Sequence, residues 1–94
     1  MKDPVGPVLR MCEEIDLVVQ AILDDNSGQE VEVIDSGSYV RVQAPRFMRV
    51  TLASLRRHVG GSFEMRRFEA MLSAFAGQIA TTSEEITWSL GGDA

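Results

Sequence analysis

The apolar residues Ile15, Val18, Val19 and Ile22 recur at helical spacing, and a few positions later the spacing changes to alternation. That change of period divides the chain into its elements. The first run predicts a helix over 13–25, with Glu13 and Glu14 placed where negative charge favours a helix N-terminus. Asp24-Asp25-Asn26-Ser27-Gly28 closes it, since asparagine and glycine tolerate the left-handed backbone that helix ends and turns require. Ahead of the helix, Val5 to Arg10 is expected to be extended, because Pro7 lacks an N–H and biases Gly6 away from helix. An edge strand is the predicted role.

Beyond the turn, Val31 and Val33 fall on one face of a strand over 30–34, and Val40, Val42 and Ala44 on one face of a second over 39–44. Asp35-Ser36-Gly37-Ser38 joins the two as a hairpin loop. After Pro45, Met48, Val50 and Leu52 alternate with Phe47, Arg49 and Thr51, which predicts a third strand of the same half-buried sheet. Thr51 then suits the N-cap of a short helix, with Leu52, Leu55 and Val59 on one face and Gly60-Gly61 at its end. A longer helix is expected over 64–75 from the stripe Phe68, Met71, Leu72 and Phe75, with Gly77 as its stop. Residues 78–80 and 86–90 form a closing strand pair, with Ile86, Trp88 and Leu90 inward, and the last four residues are expected to fray. The sum is an α+β fold: one mixed or antiparallel sheet packed by about three helices. It is expected to be a single domain over 1–94, ordered from about 5 to 90.

Composition narrows this little, but charge adds something. With 45% apolar and 24% charged residues in 94, the chain has the make-up of a folded domain with one modest core. Its net charge of −5 conceals an uneven distribution. Residues 1–40 carry nine acids against Lys2 and Arg10, a balance of −7. Residues 41–67 carry Arg41, Arg46, Arg49, Arg56, Arg57, Arg66 and Arg67 against Glu64 alone, a balance of +6. The remainder is −4, from Glu69, Glu84, Glu85 and Asp93. Opposed charges suit oriented docking on another macromolecule; the plainer reading is that they solvate outward faces. One cysteine, Cys12, cannot form an internal disulfide. The start, with Asp3, Pro4 and Pro7, lacks the basic and apolar run of a signal peptide, which points to the cytoplasm. The longest uncharged run, Ala70 to Ser83, is too short and polar to span a bilayer.

Candidate chemistry is sparse. His58 is the only histidine, and no set of His, Cys or carboxylate residues has zinc or di-iron spacing. Beside Arg57 near a helix C-terminus, His58 suits a surface or capping role. Cys12 reads as a small buried side chain, and Asp24 and Asp25 as turn and cap residues before an acid–base pair. Gly60-Gly61 has no accompanying lysine or spaced glycine, so it is not a phosphate loop. A stand-alone enzyme is excluded for want of a nucleophile and base. A nucleic-acid-binding module is the alternative, since seven arginines in 27 residues could track phosphates, but a pI near 4.7 opposes it.

Three segments carry a family likeness: Val5-Gly6-Pro7-Val8-Leu9-Arg10, Ala21-Ile22-Leu23-Asp24-Asp25-Asn26 and Ser73-Ala74-Phe75-Ala76-Gly77-Gln78-Ile79. With Tyr39-Val40-Arg41-Val42 and the Gly60–Phe63 turn, their order over residues 5–90 resembles that of the effector proteins of bacterial soluble di-iron multicomponent monooxygenases. These are the regulatory, or coupling, components of phenol, toluene, alkene and methane monooxygenases. Ser27 departs from the proline many relatives carry after the asparagine, and Gly61-Ser62 from a common Arg-Pro. The resemblance implies an α+β protein with no prosthetic group, monomeric when free. Its partner would be a hydroxylase component whose di-iron centre this chain does not supply. Docking would shift that hydroxylase towards its active conformation, coupling oxygen activation and NADH use to oxidation of an aromatic or alkene substrate. The short lead before Val5 is more like the aromatic and alkene effectors than the methane type. Arg41, Arg46, Arg49, Arg56, Arg57, Arg66 and Arg67 are the candidate contacts, with Asp25, Asn26, Ser27 and Gln78 at the edge; no nucleic acid and no membrane is expected.

Overall fold

A computed structural model of the chain describes residues 1–90; the expected fraying of the last four lies outside them. In chain order the elements are β1 (Pro4–Arg10), α1 (Ile15–Asp25), β2 (Glu32–Asp35), β3 (Tyr39–Pro45), β4 (Phe47–Thr51), α2 (Leu52–His58), α3 (Met65–Met71), β5 (Leu72–Ala76), β6 (Gln78–Thr81) and β7 (Glu85–Ser89). Among the described residues, three helices and seven strands give the α+β fold expected. The strands, however, make two sheets. One has the order β2-β3-β1-β5 and the other β4-β7-β6, with every pairing antiparallel among the described residues.

Four expectations need correction. β1 is not an edge strand, for it lies between β3 and β5. The missing Pro7 donor is accommodated locally: the β1–β3 pairing runs from Pro4↔Pro45 and Val5↔Ala44 to Val8↔Arg41, and passes over Gly6 and Pro7. β4 leaves its predicted sheet, because the chain turns at Arg46, whose φ of 69° is a left-handed conformation, and pairs with β7. The predicted long helix stops at Met71. From Leu72 the backbone extends along β1, with Leu9↔Leu72 and Pro7↔Phe75, so Phe75 is 43% exposed instead of packed in the core. Leu90, expected inward, is exposed.

The alternating positions predicted as buried are otherwise found in one core. Val40, Val42 and Ala44 of β3 and Met48 and Val50 of β4 join Val5 and Leu9 of β1, Ile15, Val18, Val19 and Ile22 of α1, and Ile86 and Trp88 of β7. Phe68 of α3 meets Trp88 with ring centroids 6.1 Å apart and planes inclined by 58°. β2, by contrast, is exposed throughout; its Val33 is 42% accessible.

The chain changes sheet at two corners. At Gly77 (φ 95°) β5 becomes β6, and a Cβ there would lie 2.6 Å from the Ser89 carbonyl and 2.7 Å from Val5 Cγ1. Gly6 (φ 142°) is under a similar constraint, since its Cβ would fall 2.1 Å from the Val42 carbonyl. The Gly-Pro pair of β1 is thus where two backbones approach closely within one sheet.

Candidate docking surface

The turn after α1 is a structural joint. Asn26 is buried; its amide donates to the Ile22 and Arg49 carbonyls at 2.7 Å each, and its Oδ1 accepts from Arg49 N–H at 3.1 Å. That reciprocal pair mimics a strand ladder and ties the end of α1 to β4. Asp25 binds the next step along: its carboxylate accepts from Thr51 N–H (2.7 Å), Thr51 Oγ1 (3.0 Å) and Ser54 Oγ (2.6 Å). Thr51 is the predicted N-cap of α2, accepting from Ser54 N–H at 3.2 Å, so the acid at the end of one helix fixes the cap of another. Of the three turn residues proposed as contacts from sequence, Ser27 alone is exposed and makes none of these bonds.

The arginines do not form one patch. Arg46, at the sheet-changing corner, pairs with Asp3 at 3.7 Å and its N–H donates to the Asp3 carbonyl. Arg49 faces Glu85 across the β4–β7 ladder at 3.9 Å, and Arg67 pairs with Glu14 while lying 5.3 Å from the Phe63 ring centroid. Arg56 donates to the Phe63 carbonyl (2.8 Å) and meets Glu64 at 3.6 Å. Arg57 meets Asp24 at 3.5 Å, and His58 Nε2 approaches the same carboxylate oxygen at 2.5 Å. His58, with Arg57 second, holds the Asp24 carboxyl below its ordinary value of 3.8. Among the described residues, Arg41 and Arg66 take part in no ion pair. The +6 segment is thus largely matched by acids far away in sequence, which weakens the case for a phosphate-tracking groove.

Arg41 stands on the outer face of the four-stranded sheet. Its neighbours across the ladders are Val8 of β1 and Ile34 of β2. On one side Val8, Ile34, Ser36 and Tyr39 join it around a depression of about 270 Å³. On the other, Gly6, Val8, Gln43, Ala74, Phe75 and Ala76 join it around one of about 140 Å³. Among the described residues no helix covers this face, and Ile34 and Tyr39 are each more than 40% exposed. Sequence placed Tyr39, Arg41 and Gln43 outward and named Arg41 a contact, but not the apolar residues around it; the signal was an aromatic ring at an outward strand position. Gln78 sits just past the Gly77 corner, exposed and paired with Ser89. No group of three or more His, Cys, Asp or Glu residues able to hold a metal occurs among the described residues, and no helix there is long and apolar enough to cross a membrane.

Comparison with known proteins bears on this scaffold directly. The profile of the MmoB/DmpM family matches residues 3–89. The chain is 40% identical, over 84 residues, to the effector subunit of the alkene monooxygenase system of Xanthobacter autotrophicus, covering 89% of this chain and 83% of that one. Its fold is similar to a chain of the phenol hydroxylase–regulatory protein complex, at TM-score 0.80 and 14% identity over 92% of this chain and 97% of that one. It is also similar to the soluble methane monooxygenase regulatory protein B, at TM-score 0.68 and 22% identity over 97% and 67% respectively.

Proposed function

The chain belongs to the MmoB/DmpM family, and on that premise we propose that it is the effector subunit of a multicomponent monooxygenase, a regulatory and not a catalytic component. The observation that carries this reading is the 40% identity over 84 residues to an alkene monooxygenase effector subunit. The scaffold supports it: two sheets packed on one core, a tethered turn and an uncovered sheet face suit a protein that acts by shape. Its partner is the hydroxylase component, which brings the di-iron centre; this chain needs no cofactor of its own, works as a monomer, and acts in the cytoplasm.

The mechanism is one of differential binding. A docked effector changes turnover only as far as it holds the active hydroxylase conformer more tightly than the resting one. Each tenfold shift of that equilibrium requires about 1.4 kcal/mol of preference. A stiff effector supplies such preference well, since little ordering entropy is lost when its surface meets the right conformer. Oxygen activation and substrate oxidation thereby become coupled to NADH use.

Titration of the protein into a purified hydroxylase and its reductase, with product formed per NADH consumed as the readout, tests this. Rate and coupling should rise to a plateau near one effector per active site. A flat response in both would refute the effector reading.

A further inference from the structure

We infer that the outer face of the four-stranded sheet, centred on Arg41, is the surface by which the chain docks, and that its occupant is an apolar hydroxylase surface presenting a carboxylate to Arg41. This rests on the effector reading and adds the place and chemistry of contact. The face combines two properties that are separate elsewhere in the molecule. It is apolar and uncovered, with Ile34 and Tyr39 exposed around half-buried Val8. It also holds a guanidinium that pairs with no acid among the described residues, whereas Arg46, Arg49, Arg56, Arg57 and Arg67 all have one. An arginine amid apolar surface gains most from a carboxylate that arrives as water leaves, the setting in which arginine and aromatic side chains dominate interfaces.

The small residues of β5 add shape. Ala74 and Ala76 flank the second depression beside Val8, so a protruding side chain can approach the sheet backbone closely there. Charge argues against a second copy of this chain as occupant. Arg10 and Arg41 lie on neighbouring positions of β1 and β3, through Arg10↔Tyr39 and Val8↔Arg41, while Glu32 at the β2 edge is engaged by the Gln43 amide at 2.8 Å. A two-fold pairing would set like net charge against itself.

The test uses full-length protein and a purified hydroxylase component, with affinity measured by titration calorimetry and stimulation by product formed. Two variants alter the face: Arg41→Glu reverses its charge, and Ala74→Trp fills its depression without touching charge. Lys2→Glu is the control, an exposed lysine ahead of β1 that joins none of the ion pairs. Thermal unfolding confirms that each variant is folded. Wild type and K2E should stimulate equally, while R41E and A74W each lose on the order of tenfold or more in affinity. If wild type stimulates and folded R41E and A74W bind as tightly as it does, the face is refuted and the effector reading stands. If wild type neither binds nor stimulates, both fall. Should wild type sediment as a dimer that R41E dissolves, the occupant is a second copy and the inference is overturned.

Discussion

Removing the Asp25 carboxylate should destabilise the protein without altering the surface that meets its partner. The side chain accepts three hydrogen bonds of 2.6 to 3.0 Å from Thr51 and Ser54, and Ser54 is 3% exposed. Hydrogen bonds to a charged acceptor contribute about 1.5–3 kcal/mol each when buried. Here the carboxylate is only part-buried, and both Thr51 donors share one oxygen, so the three act together and the low end applies. Asp25→Ala is expected to cost about 2–4 kcal/mol, including looser placement of the Thr51 cap. For a domain of this size that lowers the unfolding temperature by roughly 4–8 °C per kcal/mol. Asp25→Asn keeps one acceptor oxygen and turns the other into a donor facing hydroxyl or amide groups, so about half the loss is expected. Urea unfolding followed through Trp88, the single tryptophan, gives both numbers. Below its unfolding transition, D25A should bind the hydroxylase as wild type does. A D25A midpoint within about 0.5 kcal/mol of wild type would refute the joint, and a large loss of affinity in the folded variant would make Asp25 a contact residue.

Three further outcomes can be measured. Gly77→Ala forces a Cβ to within 2.7 Å of Ser89 and Val5 at a φ of 95°; it should cost at least about 2 kcal/mol in denaturant, and Gly6→Ala, against the Val42 carbonyl, more. A G77A variant as stable as wild type would show that the corner can open. Because Asp24 has a lowered carboxyl pKa in the folded chain, its contribution to stability is present above the ordinary value of 3.8 and is lost as pH falls through the lower folded one. Asp24→Asn should therefore flatten the acid limb of a stability–pH curve, and an unchanged limb would remove the His58–Asp24–Arg57 cluster as its source. Reversing Arg56 and Arg57 to glutamate breaks contacts to Phe63, Glu64 and Asp24. It should reduce stability more than it reduces hydroxylase affinity at physiological salt, which parallel denaturation and calorimetry will show.

What could be read from the sequence was what local pattern decides. Val40, Val42 and Ala44 alternate because one face of β3 is buried, and Thr51 caps α2 because its hydroxyl is next to the free amide of Ser54. What escaped was decided by partners distant along the chain. Phe68, Met71, Leu72 and Phe75 fit a helical stripe, yet Leu72-Ser73-Ala74-Phe75-Ala76 serves equally as a strand, and the open side of β1 settles the choice. Nothing near Arg46 announces a left-handed corner, so β4 looked like a continuation of the first sheet. The candidate contacts suffered in the same way. An arginine looks free in sequence until its acid appears, and Asp3, Glu14, Asp24, Glu64 and Glu85 come from five different parts of the molecule. Arg41 finds no such partner among the described residues, because the ladders set Val8 and Ile34 directly beside it.

The interior position of β1 also governs how the molecule comes into being on the ribosome. β1 precedes the other described strands in the chain, but it gains its second neighbour only when Leu72 to Ala76 have been made. At synthesis rates of roughly 5–20 residues per second, the interval between Leu9 and Leu72 is about 3–13 s, long compared with the formation of α1 or the β2–β3 hairpin. During that interval Val5, Val8 and Leu9 present an apolar strand with one side unsatisfied. A ribosome stalled between α3 and β5 will therefore display an open sheet edge, and the nascent chain becomes protease-resistant only once β5 has emerged.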